Sequence, residues 1–123
     1  MLIFQKLIFR MDLQLNPDVL YVFGDNMQRI GFGGQAKEMR GEPNAVGLPT
    51  KLSPGQYFSN NDLNRLKIEN KNNVSRLISH LRSGGVVVWP ADGIGTGLAD
   101  LKNKAPKIMD YYDNLLESLR TYK

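Results

Sequence analysis

The sequence predicts an α/β fold, a mixed and mostly parallel sheet held between helices, on three observations. Short apolar runs at 19–23, 45–49 and 86–89 have the β-branched and aromatic character of strands buried on both faces. Helical patterns stand between and after these runs, so strands alternate with helices. Glycine-rich stretches follow the first and last runs, where a strand hands over to a helix.

The chain's 123 residues, with 41% hydrophobic side chains, suit one domain spanning 1–123 with a real core. Cysteine is absent, which excludes disulfides, thiolate zinc sites and a cysteine nucleophile. No apolar run approaches the roughly 18 residues of a membrane span. The apolar opening is interrupted by Lys6 and Arg10 and reads as a strand rather than a signal peptide, so a cytoplasmic protein with no membrane partner is expected. The net charge of +4 permits an anionic ligand without naming one. Lys102, Lys104 and Lys107 form the densest basic group, but no arginine-rich arm, RNP pattern or zinc finger is present. Direct nucleic-acid binding is therefore not expected, except to a modified substrate.

Residues 2–9 read as an edge strand, and Asn16-Pro17-Asp18 as a turn. Val19–Phe23 is a second strand, ending at Gly24-Asp25-Asn26. A loop with Gly31, Gly33 and Gly34 then feeds a short helix reaching Met39. Ala45–Pro49 is a third strand, followed at once by Thr50-Lys51. The polar segment 53–61, with Pro54 and Gly55, reads as a flexible loop, and a short helix begins near Asp62.

Val74, Leu77, Ile78 and Leu81 keep i, i+3, i+4, i+7 spacing, which predicts a helix stopping at Gly84-Gly85. His80, the only histidine, lies off that stripe and is expected to face solvent. Val86–Trp89 is the last strand, with Trp89 in the core. After it, Gly93, Gly95 and Gly97 recur at every second position, as backbone needing φ > 0 or close approach to a ligand would require. A final helix over about 104–120 places Ile108, Met109, Tyr112, Leu115, Leu116 and Leu119 on one face, with Pro106 tolerated in its first turn.

Ligands of such sheets bind outside the carboxyl ends of the strands. If the strands are parallel, 24–34, Thr50-Lys51 and 92–98 open on one edge. Asn26 offers donors and an acceptor suited to a ribose diol, or serves as a turn residue. The amides of Gly33 and Gly34 could face a pyrophosphate or a sugar. Neither loop has a following Gly-Lys-Ser/Thr, and neither keeps Gly-x-Gly-x-x-Gly, which sets aside the P-loop and dinucleotide readings.

Three motifs in order carry a family resemblance. Gly24-Asp25-Asn26 followed by Gly31-Phe32-Gly33-Gly34-Gln35-Ala36 resembles the Asn-x-x-Leu-x-x-Gly-Gly-Gly loop of macrodomains. Gly93-Ile94-Gly95-Thr96-Gly97-Leu98 is similar to their diphosphate-holding loop. Leu48-Pro49-Thr50-Lys51 resembles the Leu-x-Thr-Lys of the terminal ADP-ribose glycohydrolase branch, which is related to bacterial DNA ADP-ribosylation antitoxins. The likeness runs over roughly 19–120, in a chain of reduced size for the family.

The resemblance implies ADP-ribose, free or on a macromolecule, as the ligand. Asn26 would then sit at the distal ribose with Gly31, Gly33 and Gly34 near it, while Asp92 and Gly93 to Leu98, Ile94 and Thr96 included, would wrap the diphosphate. In the branch a lysine attacks the anomeric carbon with a carboxylate assisting, and Lys51 matches the lysine. Ala99 stands where the branch has its acid, and Asp100 follows it; Asp92 and Asp25 are alternatives, and Asp100 could instead cap the last helix. The early Gly-Asp-Ile-Thr turn that holds adenine is missing, leaving Phe32 and Tyr57 as aromatics that could stack. The implied activity is hydrolysis of ADP-ribosyl linkages without cofactor or metal. The alternative is a binder that sequesters ADP-ribose or a nucleotide derived from it.

Overall fold

The computed structural model describes residues 1–122. In chain order the elements are β1 (Leu2–Gln5), α1 (Arg10–Leu15), β2 (Leu20–Asn26), α2 (Ala36–Met39), β3 (Ala45–Ser53) and β4 (Gln56–Tyr57). A 3-10 turn at Asn60–Asp62 leads to α3 (Leu63–Glu69), α4 (Lys71–Arg82), β5 (Val87–Pro90), α5 (Leu101–Lys104) and α6 (Pro106–Arg120). The five strands form one sheet in the order β1-β5-β2-β3-β4. All pairs are parallel except the β3–β4 hairpin, so the α/β expectation of a mixed, mostly parallel sheet holds. No helix is long and apolar enough to cross a membrane among the described residues.

Both faces of the sheet are covered, which is why its strands lack polar alternation. On one face Leu20, Val22, Val46, Leu48, Val87 and Trp89 pack against Leu66, Leu77, Leu81, Ile108 and Leu119 from the longer helices. On the other, Tyr21, Phe23 and Val88 meet Ile8, Leu13, Ala36 and Met39. The predicted stripe of α4 is the buried one, and α6 buries Ile108, Tyr112, Leu115 and Leu119 with Pro106 at its start.

Several boundaries differ from the sequence reading. The first strand stops at Gln5 because β5 offers it partners only as far as Pro90. Ile8 then turns into the second core, and the chain forms α1, whose first N–H groups are partly served by the Asp12 carboxylate accepting from Phe9 N at 2.8 Å. β2 does not end at Phe23 but continues through Gly24-Asp25-Asn26, because β3 supplies its ladder as far as Lys51, and β3 runs on to Ser53 because β4 pairs with it there. That ladder carries a bulge: Asp25 opposes Pro49 and Asn26 opposes Lys51, leaving Thr50 as the extra residue, its hydroxyl donating to the Asp25 carbonyl at 3.1 Å.

The segment expected as a flexible loop contains β4, followed by the buried Phe58. His80, expected to face solvent, is half-buried: its ring lies beside Gly85, where an added Cβ would clash with it, and its Nε2 is buried without a partner.

The buried Tyr112 hydroxyl donates to the Pro49 carbonyl and ties α6 to β3. Burial is the main cause raising its pKa well above 10.0, with Tyr111 adding to it. A phenol whose folded pKa is raised contributes stability that is full below the unfolded value and is lost as pH rises through the folded one. Urea unfolding of the wild type should therefore show stability falling above about pH 10 more steeply than that of Tyr112→Phe. Equal alkaline slopes would remove Tyr112 as the cause.

Candidate functional site

Parallel pairing brings the carboxyl ends of β5, β2 and β3 to one edge of the sheet. There the chain encloses a cleft of about 370 Å³, within the range of small-molecule sites. Its lining comes from 24–26, the 30–36 loop, Thr50, Lys51 and Pro54 on β3 and its hairpin, and the 93–99 loop. The three stretches singled out in the sequence thus meet.

Two sides of the cleft are bare backbone. Among the described residues, the N–H groups from Ile30 to Gln35 and from Ile94 to Ala99 make no intramolecular hydrogen bond. Gly93 and Gly95 hold φ of +92° and +77°, in the left-handed region that favours glycine. Leu101 packs so close to Gly95 that a side chain there would collide with it. Consecutive free amides in such turns form an anion-binding concavity.

The floor is a buried carboxylate. Asp25 keeps only 3% of its side chain exposed, and four hydrogen bonds fill its two oxygens. Oδ1 accepts from Asn26 N at 2.8 Å and from Arg40 Nη2 at 2.5 Å; Oδ2 accepts from Arg29 Nη1 and Arg40 Nη1, each at 3.2 Å. Gly47 makes room for this group, because a Cβ there would lie 2.6 Å from Asp25 Oδ2. Arg29, at φ +58°, also donates to the Gly47 carbonyl. Two guanidiniums around one carboxylate leave a net positive charge, and Lys51 adds another at the lining.

Asn26 lines the cleft, but its carboxamide closes the neighbouring turn. Nδ2 donates to the Ile30 carbonyl at 2.8 Å and Oδ1 accepts from Gln28 N at 3.1 Å. One N–H and one lone pair remain for a ligand. Lys51 Nζ donates to the Pro54 carbonyl and lies 4.9 Å from the centre of the Tyr57 ring, which Lys104 Nζ approaches at 4.8 Å. Gln35 Oε1 is buried without a hydrogen-bond partner.

Gly31, Gly33, Gly34, Gly93, Ile94, Gly95, Gly97 and Leu98 line the cleft, whereas Asp92, Thr96 and Asp100 do not. Thr96 Oγ1 donates to the Asp92 carbonyl at 2.6 Å, shaping the loop from behind. Asp100 sits at φ +47° before α5, and its carboxylate accepts from Asn103 Nδ2 at 2.8 Å, so it belongs to the helix start. Asp25 is the one carboxylate in the lining among the described residues, and it has no acceptor site left over. Phe32 and Tyr57 also fall outside the lining; Ile30 and Leu98, both largely exposed, are the apolar side chains at the rim. Sequence reasoning did not single out Arg40, and it quoted Gln35 only as part of the Gly31–Ala36 motif. The two flank the short helix α2 at its start and its end, and no local pattern marks the role of either.

Residues 3–115 match the model of a family of unknown function, DUF7831. No curated protein and no solved structure matches the chain.

Asp25→Asn should lower stability by about 3 kcal/mol, measured by urea unfolding, because it leaves two guanidiniums facing a neutral amide. The cost sits at the low end of that class because the Arg29 side chain is already 40% exposed. A loss under about 1 kcal/mol would mean that solvent, not Asp25, carries those charges.

Proposed function

We propose that this chain, which belongs to the DUF7831 family of unknown function, binds ADP-ribose or a closely related nucleoside diphosphate sugar in the cleft at the strand ends. The observation that carries the reading is the pair of unbonded amide runs, Ile30–Gln35 and Ile94–Ala99, on two loops of one cleft. A diphosphate supplies the acceptors these amides lack, and the positive balance around Asp25 and Lys51 favours its charge. In this reading the 93–98 loop wraps the diphosphate. Gly31, Gly33 and Gly34 meet the distal ribose and its phosphate. The remaining N–H of Asn26 takes a ribose hydroxyl, and Ile30 and Leu98 flank a ring at the rim.

Binding without turnover is favoured over hydrolysis by the state of the carboxylates. The acid in the lining has all its acceptor positions filled, and Asp92 and Asp100 lie outside the lining. A general acid or base has to come within hydrogen-bond reach of the reacting oxygen. The second reading, hydrolysis of an ADP-ribosyl linkage, rests on Lys51. Lys51 is a lining residue directly opposite Asn26 in the ladder, and its amine, which donates to the Pro54 carbonyl, would have to leave that partner to attack the distal sugar.

Isothermal titration with ADP-ribose should give micromolar binding, and the ligand should be recovered intact after hours with the protein. No heat at millimolar ligand would reject the nucleotide reading. Release of ADP-ribose from a modified protein or oligonucleotide, abolished in Lys51→Ala while ADP-ribose affinity stays within about twofold, would select the hydrolase instead.

A further inference from the structure

We infer that Arg40 is a positioning residue for the cleft, acting through the 30–34 loop rather than by touching the ligand. The inference rests on the nucleotide-binding reading above. Four hydrogen bonds leave this one guanidinium in two directions. Two go to Asp25, as described. Nε donates to the Gly31 carbonyl at 2.7 Å and Nη2 to the Ile30 carbonyl at 3.2 Å. The guanidinium is further held 5.7 Å from the centre of the Phe23 ring on β2, and only 16% of the side chain is exposed.

The consequence follows from the planarity of the peptide bond. In a trans peptide the C=O and the following N–H point in opposite directions. By drawing the carbonyls of Ile30 and Gly31 onto itself, Arg40 turns the N–H groups of Gly31 and Phe32 away from the protein. Those amides are among the ones with no intramolecular acceptor. Gly31 takes φ +93°, a conformation in which two successive carbonyls can converge on one donor group without a Cβ in the way. A loop this rich in glycine has many alternatives in the absence of such a clamp. The clamp stays in place because Asp25 fixes the other side of the guanidinium to the sheet. Asp25 thus serves the site through Arg40, as an anchor rather than as an acid.

Lysine cannot reproduce this arrangement, since it carries one point of charge and no planar fork. Arg40→Lys keeps the charge beside Asp25 and separates a geometric role from an electrostatic one. ADP-ribose affinity should fall about tenfold or more in Arg40→Lys, while affinity for AMP, which lacks the distal ribose and second phosphate, stays within about twofold. Unchanged ADP-ribose affinity would mean that charge alone suffices, and equal losses for both ligands would mean a general effect on the fold; either overturns the role. In the wild-type protein, which needs no variant to fold, ADP-ribose should shift the amide NMR signals of Gly31 and Phe32 and slow their hydrogen exchange. Binding that leaves both amides unperturbed would also overturn it. Failure of the wild type to bind ADP-ribose at all would instead strike the reading beneath.

Discussion

The ion-paired carboxylate of Asp25 is the interaction on which the cleft edge of this protein depends. It sits on the central strand β2 and takes the Asn26 N–H, Arg29 and Arg40 at once. An unpaired carboxylate that deeply buried would be strongly disfavoured. Paired, it joins β2 to the α2 side of the sheet and, through Gly47 and Arg29, to the neighbouring strand. The residue at 47 is glycine for that reason: a methyl group would occupy the space of the carboxylate oxygen.

Around this anchor the protein divides its labour between side chains and backbone. Side chains hold loops in shape: Asn26 closes the turn to Ile30, Thr96 braces Asp92, Thr50 fills the bulge in β3. Backbone N–H groups are what remains on offer to a ligand. Such a site recognises an anion by the geometry of its donors and needs few charged residues in contact with it. Turnover would demand more, namely a carboxylate or amine free to move a proton. The structure gives Asp25 a structural duty and ties Asp100 to the start of α5. In the function proposed above, this division favours recognition over cleavage.

The bulge at Thr50 shows how a small irregularity changes which residues stand opposite each other at the cleft. Simple alternation along β3 would pair Asn26 with Thr50 after Asp25 with Pro49. The extra residue brings Lys51 opposite Asn26 instead, and the antiparallel strand β4 then sets Tyr57 beside the lysine amine. The hairpin wall that results comes from a segment whose proline, glycine and polar residues gave no strand signal.

The sequence by itself determined the sheet and its helical cover, because runs such as Val19–Phe23 and Val86–Trp89 and the stripes of α4 and α6 encode burial through local periodicity. It also pointed to the edge where the loops gather, since parallel strands set the loops that follow them on one side of the sheet. Only the tertiary structure decided what each polar residue there does. Asp25, Arg40 and Gly47 lie on β2, just after α2 and on β3, and they meet only because β3 pairs with β2 and α2 packs on that sheet. Asn26 became a turn lock, and Asp100 a helix-start residue, according to which backbone groups happened to lie within reach. Periodicity carries information about faces, whereas the roles of hydrogen-bonding groups are set by partners that only folding brings together.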